Sequence, residues 1–257
     1  MVNNQISCKQ IIVNDLLINY YYFLPKKKSN SKTVVFLHGW GVDSQLWFKI
    51  APTLIKKNYS LYFIDLPGFG QSQIPPESFN LDQYKDIVLK LIERLSLKNV
   101  EVVGHSFGGS VAIKLALNDP HPLEKLVLVN AAGVRHPSIS KKFKAVLAKI
   151  IRPLFFPSFM QPVRAKLYQL IGSEYLNNPS MSKVFTQVVS ENLMPLLSKI
   201  NIPTLIISGD SDKVTPVAHA QEMNKKIKGS KLVILSSGHF GFLDQSDEFV
   251  KVLTKFI

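Results

Sequence analysis

The stretch Val100-Glu101-Val102-Val103-Gly104-His105-Ser106-Phe107-Gly108-Gly109 decides the reading of the whole chain. Its first four residues form a short β-rich run, and residues 107–117 carry a helical pattern. Between them the chain must pass from strand to helix in one tight turn. Only very small residues fit on either side of such a turn, and Gly104, Gly108 and Gly109 stand there. The turn lifts the Ser106 hydroxyl above the carboxyl edge of a sheet and aims the first amides of the following helix at it. A Gly-x-Ser-x-Gly pattern by itself recurs by chance. Its place between a strand and a helix marks Ser106 as a candidate nucleophile.

The flanking sequence supplies the sheet that this turn requires. Residues 6–13 and 16–24 are β-rich runs separated by the turn pair Asn14-Asp15 and predict an antiparallel hairpin. Residues 33–37 are a continuous apolar run, as in strands buried on both faces of a parallel sheet. A helix is expected over 44–56, a strand over 61–64, a helix over 81–95 with Asn80 as N-cap, and a strand over 126–129. Such alternation predicts right-handed βαβ units. It stops near Gly133, and residues 134–195 hold basic and aromatic helical segments broken by Pro153, Pro157, Pro162 and Pro179. The rhythm resumes with a strand at 204–207, a helix at 217–227, a strand at 232–235 and a closing helix from Ser246. The expected class is therefore α/β, with a core of residues 1–133 and 196–257 and an insertion at 134–195.

A serine hydroxyl is a poor nucleophile near neutral pH and needs a histidine base oriented by a carboxylate. Of the six histidines, His239 follows the last predicted strand and precedes the last helix, so it shares the sheet edge with Ser106. It is the expected base. His38 ends a strand and is expected to support the neighbouring loop, while His105 points away from Ser106 inside the turn. His121, His136 and His219 read as surface residues. The loop Gly209-Asp210-Ser211-Asp212 follows strand 204–207, and Asp212 is the expected orienting acid, with Asp210 bracing the loop. The chain order Ser106, Asp212, His239 differs from that of chymotrypsin-type and subtilisin-type enzymes. Developing oxyanion charge needs donors, and the backbone amides of Phe107 and of Trp40, in His38-Gly39-Trp40-Gly41, stand in the expected places. Asp65, before Leu66-Pro67-Gly68, reads as a turn organiser rather than a catalytic group.

With these motifs in hand, the chain resembles the α/β-hydrolase superfamily, in the branch that carries a helical cap. The resemblance rests on His38-Gly39-Trp40-Gly41, on Asp65-Leu66-Pro67-Gly68-Phe69-Gly70-Gln71-Ser72, on the Ser106 turn, on the Asp212 loop with Pro216, and on Gly238-His239. It implies an α/β-hydrolase fold: a mostly parallel eight-stranded sheet whose first strands are antiparallel, with a helical cap after the sixth strand, where residues 134–195 lie. It also implies a mechanism with no cofactor and no metal, in which Ser106 forms an acyl-enzyme. Dehalogenases of this fold would carry an aspartate at position 106, and the loop at Trp40 resembles that of carboxylesterases more than that of carbon-carbon bond hydrolases. The expected substrate is a small or acyl-chain ester. Carbon-carbon bond hydrolysis and a non-catalytic ligand-binding role are the alternatives.

Composition sets the boundaries. Of 257 residues, 46% are hydrophobic and 19% charged, enough for a sizeable core and unlike a disordered chain. Cys8 is the only cysteine, so no intramolecular disulfide can form and a reducing compartment is expected. Neither a secretory leader nor a spanning run of apolar residues is legible, so a cytoplasmic location is expected. The net charge of +13 is a weak guide to partners, and no nucleic acid is expected. The excess is not evenly spread: residues 134–195 carry nine Lys or Arg against Glu174 and Glu191, which is +7 of the +13. Phe143, Val146, Leu147, Ile150, Ile151 and Leu154 recur there at helical spacing among Lys141, Lys142, Lys144 and Lys149. The apolar face, with Phe143 and Leu147, is expected to join Trp40 and Phe107 in binding substrate. Two further readings are peripheral contact of the basic face with an anionic membrane, and an inward Arg135, Arg152 or Arg164 that holds an acidic substrate group. No feature specifies an oligomeric state.

Overall fold

A computed structural model describes residues 6–25, 32–118, 123–134 and 179–257. The run 143–154, with Phe143 and Leu147, lies outside the described residues, as do Arg135, Arg152, Arg164, His121 and His136. Eight strands form one sheet in the order β1-β2-β4-β3-β5-β6-β7-β8. They are β1 (Ser7–Val13), β2 (Leu16–Phe23), β3 (Thr33–Leu37), β4 (Ser60–Ile64), β5 (Val100–His105), β6 (Leu123–Val129), β7 (Thr204–Gly209) and β8 (Lys231–Leu235). The hairpin β1–β2 is antiparallel in the register Val13↔Leu16, and its turn residues Asn14 and Asp15 both take positive φ. That is the backbone a two-residue hairpin turn demands. β2 pairs antiparallel with β4, and the remaining pairs are parallel.

The helices among the described residues are α1 (Ala51–Lys56), α2 (Leu81–Arg94), α3 (Phe107–Ala116), α4 (Pro179–Ser190), α5 (Val217–Lys226), α6 (Gly241–Asp244) and α7 (Ser246–Phe256). α2 starts on the expected Asn80, in a reciprocal capping box with Gln83. The single helix expected over 44–56 is instead a 3-10 turn at Ser44–Lys49 followed by α1. Pro52 explains the break: its ring cannot donate to the preceding turn, and it sits where the first turn of a new helix has no need of a donor. Pro179, expected to interrupt a helix, begins one for the same reason. Among the described residues no helix is long and apolar enough to cross a membrane.

Alternate residues of the central strands feed two cores. Val35, Leu37, Val102, Leu126, Leu128 and Ile206 pack under α2, α3, α4 and α5. Val34, Phe36, Phe63, Val103, Val127 and Ile207 pack under the 3-10 turn, α1, α6 and α7. Burial on both faces is why these strands read as continuous apolar runs. α5 also corrects one expectation. His219 is buried, because it shares its side of the helix with Ala220 and Met223, which face the core.

The crossing of β5 and α3 allows no side chain. A Cβ on Gly104 would lie 2.5 Å from the Gly108 carbonyl oxygen, and one on Gly108 would lie 2.5 Å from the carbonyl oxygens of Leu37 and His38. These obstacles are backbone and cannot rotate away. Gly104→Ala is therefore expected to cost more than about 3 kcal/mol of unfolding free energy, read as a shift of the urea midpoint at unchanged slope.

Candidate active site

Ser106 joins β5 to α3 with φ 51° and ψ −114°, a backbone state that a residue with a side chain rarely adopts. The turn is held by the Ser106 N–H bond to the Val129 carbonyl at 3.1 Å and by the Ser106 carbonyl, which accepts from Ala132 at 3.0 Å. The side chain is half-buried at the carboxyl edge of the sheet.

Asp212 and His239 come together at this same edge, after β7 and β8. His239 Nδ1 donates to Asp212 Oδ2 at 2.7 Å. The Asp212 carboxylate is buried and fully engaged. Its Oδ1 accepts from the backbone of Val214 at 2.7 Å and of Thr215 at 3.0 Å, and its Oδ2 accepts from Asn130 Nδ2 at 2.6 Å and lies 2.6 Å from the Thr215 hydroxyl. Burial pushes this carboxyl up, but the hydrogen bond and charge of His239 and the bonds from Thr215 outweigh it and hold the group at about 2. An acid so held stays ionised and keeps the proton of the imidazole on Nδ1, which leaves Nε2 as the basic nitrogen. Asp210, by contrast, accepts from Ser236 Oγ, Ser237 N and Ser211 Oγ, tying the loop after β7 to the loop after β8.

Among the described residues, the Ser106 hydroxyl makes no hydrogen bond to His239. Such contacts are often long in unliganded sites and tighten around substrate. A different bond links the two loops. His105 Nε2 donates to the His239 carbonyl at 2.9 Å, and the two rings stand 4.7 Å apart. Burial lowers His105 well below the usual imidazole range, so it acts here as a neutral strut. His38 is neutral for the same reason: it accepts from the Leu66 N–H at Nε2, 3.0 Å, while Nδ1 donates to the Gly39 carbonyl at 2.7 Å. That bond shapes the loop carrying Trp40. Gly39 is pressed so close that a Cβ on it would lie 3.3 Å from Ser106 Cβ. The N–H groups of Trp40 and Phe107 have no acceptor among the described residues. Asp65 accepts from Asn19 Nδ2, Ser44 N and Gln71 N, at 2.8 to 3.0 Å, and so knits β2, β4 and two loops.

Asn130 and Thr215 escaped the sequence reading. The signal that could find them is a polar residue directly after an apolar strand run, as Asn130 is after β6, or inside the acid's own loop, as Thr215 is; in the structure Asn130 takes φ 45°. Phe107 and Trp40 stand with their rings 5.3 Å apart beside Ser106, while Phe143 and Leu147 lie outside the described residues. Among the described residues no group of three or more His, Cys, Asp or Glu side chains could hold a metal ion.

Comparisons with known proteins bear on the family and the fold. A family model described as alpha/beta hydrolase fold matches residues 32–187 and 182–246. The chain is 29% identical over 246 residues to the AB hydrolase superfamily protein YisY of Bacillus subtilis, covering 88% of this chain and 92% of that one. It is 26% identical to the pimeloyl-[acyl-carrier protein] methyl ester esterase of Legionella pneumophila, covering 90% and 97%. Among solved structures, an esterase from Exiguobacterium antarcticum superposes with a TM-score of 0.80 at 24% identity, covering 96% and 98%.

The depressed Asp212 carboxyl sets a pH dependence of stability. Its folded pKa lies below its unfolded one, so it contributes stability above about pH 4 that is lost as pH falls toward 2. The expected loss is about 2 kcal/mol. Denaturation curves from pH 5 to 2 should show this slope, flattened in Asp212→Asn.

Proposed function

The chain belongs to the α/β-hydrolase family, and from that premise we propose that it is a serine hydrolase whose substrate is a carboxylic ester. Ser106 Oγ attacks the ester carbonyl while His239 Nε2 takes its proton. The proton passes to the departing alcohol oxygen, leaving an acyl-enzyme. Water, deprotonated in turn by His239, then releases the acid and restores Ser106. Asp212 orients the imidazole through Nδ1 and stabilises it when charged, with Asn130 and Thr215 positioning the carboxylate. The amides of Phe107 and Trp40 receive the oxyanion, each worth about 3 to 4 kcal/mol in such sites.

The observation that carries this reading is the 2.7 Å bond between Asp212 and His239, at the edge where the strained Ser106 turn stands. The printed names of the Legionella and Exiguobacterium relatives, both esterases, support the same bond class. In this reading residues 134–195 form a cap of which α4 is the last helix, and Phe143 and Leu147 join Trp40 and Phe107 at the substrate. A cytoplasmic location accords with the single cysteine.

A fluorophosphonate probe is expected to label Ser106, and Ser106→Ala to abolish labelling and to lower hydrolysis of nitrophenyl esters by a factor of about a thousand or more. Labelling failure in a folded protein would favour a binding role. Labelling with a flat, near-zero profile across ester chain lengths would favour carbon-carbon cleavage.

The basic amphipathic run 143–154 supports a second reading, contact with anionic lipid. Co-sedimentation with vesicles containing phosphatidylglycerol, weakened by salt and absent with neutral vesicles, is the expected result.

A further inference from the structure

α4 meets the loop at Trp40 through one aromatic contact that lies off its core face. Met181, Val184 and Val188 recur at helical spacing and are buried. Met181 packs so tightly on the loop after β4 that a Cβ on Gly68 would lie 2.5 Å from its Sδ and Cε. Lys183 pairs with the Glu77 carboxylate, and Gln187 Nε2 donates to the Glu77 carbonyl at 3.3 Å. The helix is thus seated by packing and by polar contacts on one loop. Phe185 stands beside that seat, half-buried, with its ring 5.0 Å from the Trp40 indole and tilted by 55°.

Trp40 is fixed from its other side. Its indole meets Phe69 edge-on at 4.8 Å and Phe107 edge-on at 5.3 Å, and Phe107 is held in turn by Tyr84 at 4.9 Å. Trp40 follows Gly39, the residue pressed against Ser106. Two half-buried rings, Trp40 and Phe185, therefore meet, and the Trp40 ring also touches that of Phe107, the residue after the serine. Neither belongs to the buried core proper. Rings held by neighbours yet partly accessible present flat apolar surface at little entropic cost, and offset or edge-on geometry lets them favour a third ring over a saturated group of equal size.

Resting on the serine-hydrolase reading, we propose that the touching rings of Trp40 and Phe185 together line one side of an aromatic slot that takes an aryl substituent of the ester. The slot makes Phe185 a specificity-determining residue. Shape-matched ester pairs test it: benzyl acetate against cyclohexylmethyl acetate, and methyl phenylacetate against methyl cyclohexylacetate, followed by acid release. In at least one pair the aryl ester is expected to be favoured about tenfold in kcat/KM, mostly through KM. Phe185→Ala should bring that ratio close to one, and Phe185→Trp should keep it. A ratio near one in both pairs for the unmodified protein overturns the slot, as does an equal loss for both members of a pair in a Phe185→Ala protein that melts normally. Fluorophosphonate labelling of every variant separates the two claims. If Ser106 does not label, the serine-hydrolase reading fails, and the slot stands or falls on binding alone. Benzyl alcohol should then change tryptophan fluorescence saturably, more tightly than cyclohexylmethanol and less tightly in Phe185→Ala. Equal affinities would overturn the slot.

Discussion

The approach of α3 to the sheet, with no side chain between them, is the contact on which the carboxyl edge depends. Gly104 and Gly108 let the helix backbone rest on β5 and on the carbonyls of Leu37 and His38, and Gly109 lets it rest on Ala131. Only at that distance can the chain reverse through Ser106 with φ 51°, so the strain at one residue is sustained by packing at three others. The same closeness brings the loop after β3 against Ser106 and leaves two backbone amides, of Phe107 and Trp40, without acceptors among the described residues. A methyl group at position 104 or 108 would move all of these at once.

A second constraint gathers the loops on the other side of Ser106. A buried carboxylate is costly unless its lone pairs are filled, and Asp212 fills them from three places: the end of β6 through Asn130, its own loop through Val214 and Thr215, and the loop after β8 through His239. The ends of three strands are thereby drawn to one acid. His105 closes the circuit by donating to the His239 carbonyl from within the Ser106 turn. A neutral imidazole suits this position, because a charged one there would face both burial and the neighbouring His239.

The contacts of α4 extend the same logic outward. Met181 on Gly68, with Lys183 and Gln187 on Glu77, ties α4 to the loop after β4, and just past the helix Leu193 N–H donates to the Gly133 carbonyl at 2.8 Å. Because the helix is seated at the loop after β4 and the chain just past it is held at Gly133, the position of Phe185 follows from the core rather than from α4 alone.

Strand and helix order, the glycines around Ser106 and the candidate residues at successive strand ends were legible in the sequence, because each rests on local chemistry. Apolar runs report burial on two faces, a turn pair such as Asn14-Asp15 reports positive φ, and a strand-to-helix turn around Ser106 admits only small neighbours. The chain order of Ser106, Asp212 and His239 needed no coordinates either. What only the tertiary structure decided is which distant groups meet. Asn130 reaches an acid 82 residues away, and His105 a carbonyl 134 residues away. His219 turned inward because its neighbours on α5 face the core, and Pro52 divided an expected helix into two pieces with different partners. Phe185 reads in sequence as one aromatic among many until α4 is laid beside Trp40. Periodicity and turn sterics act over a few residues and are written along the chain, whereas hydrogen-bond partners and ring contacts depend on how finished elements pack.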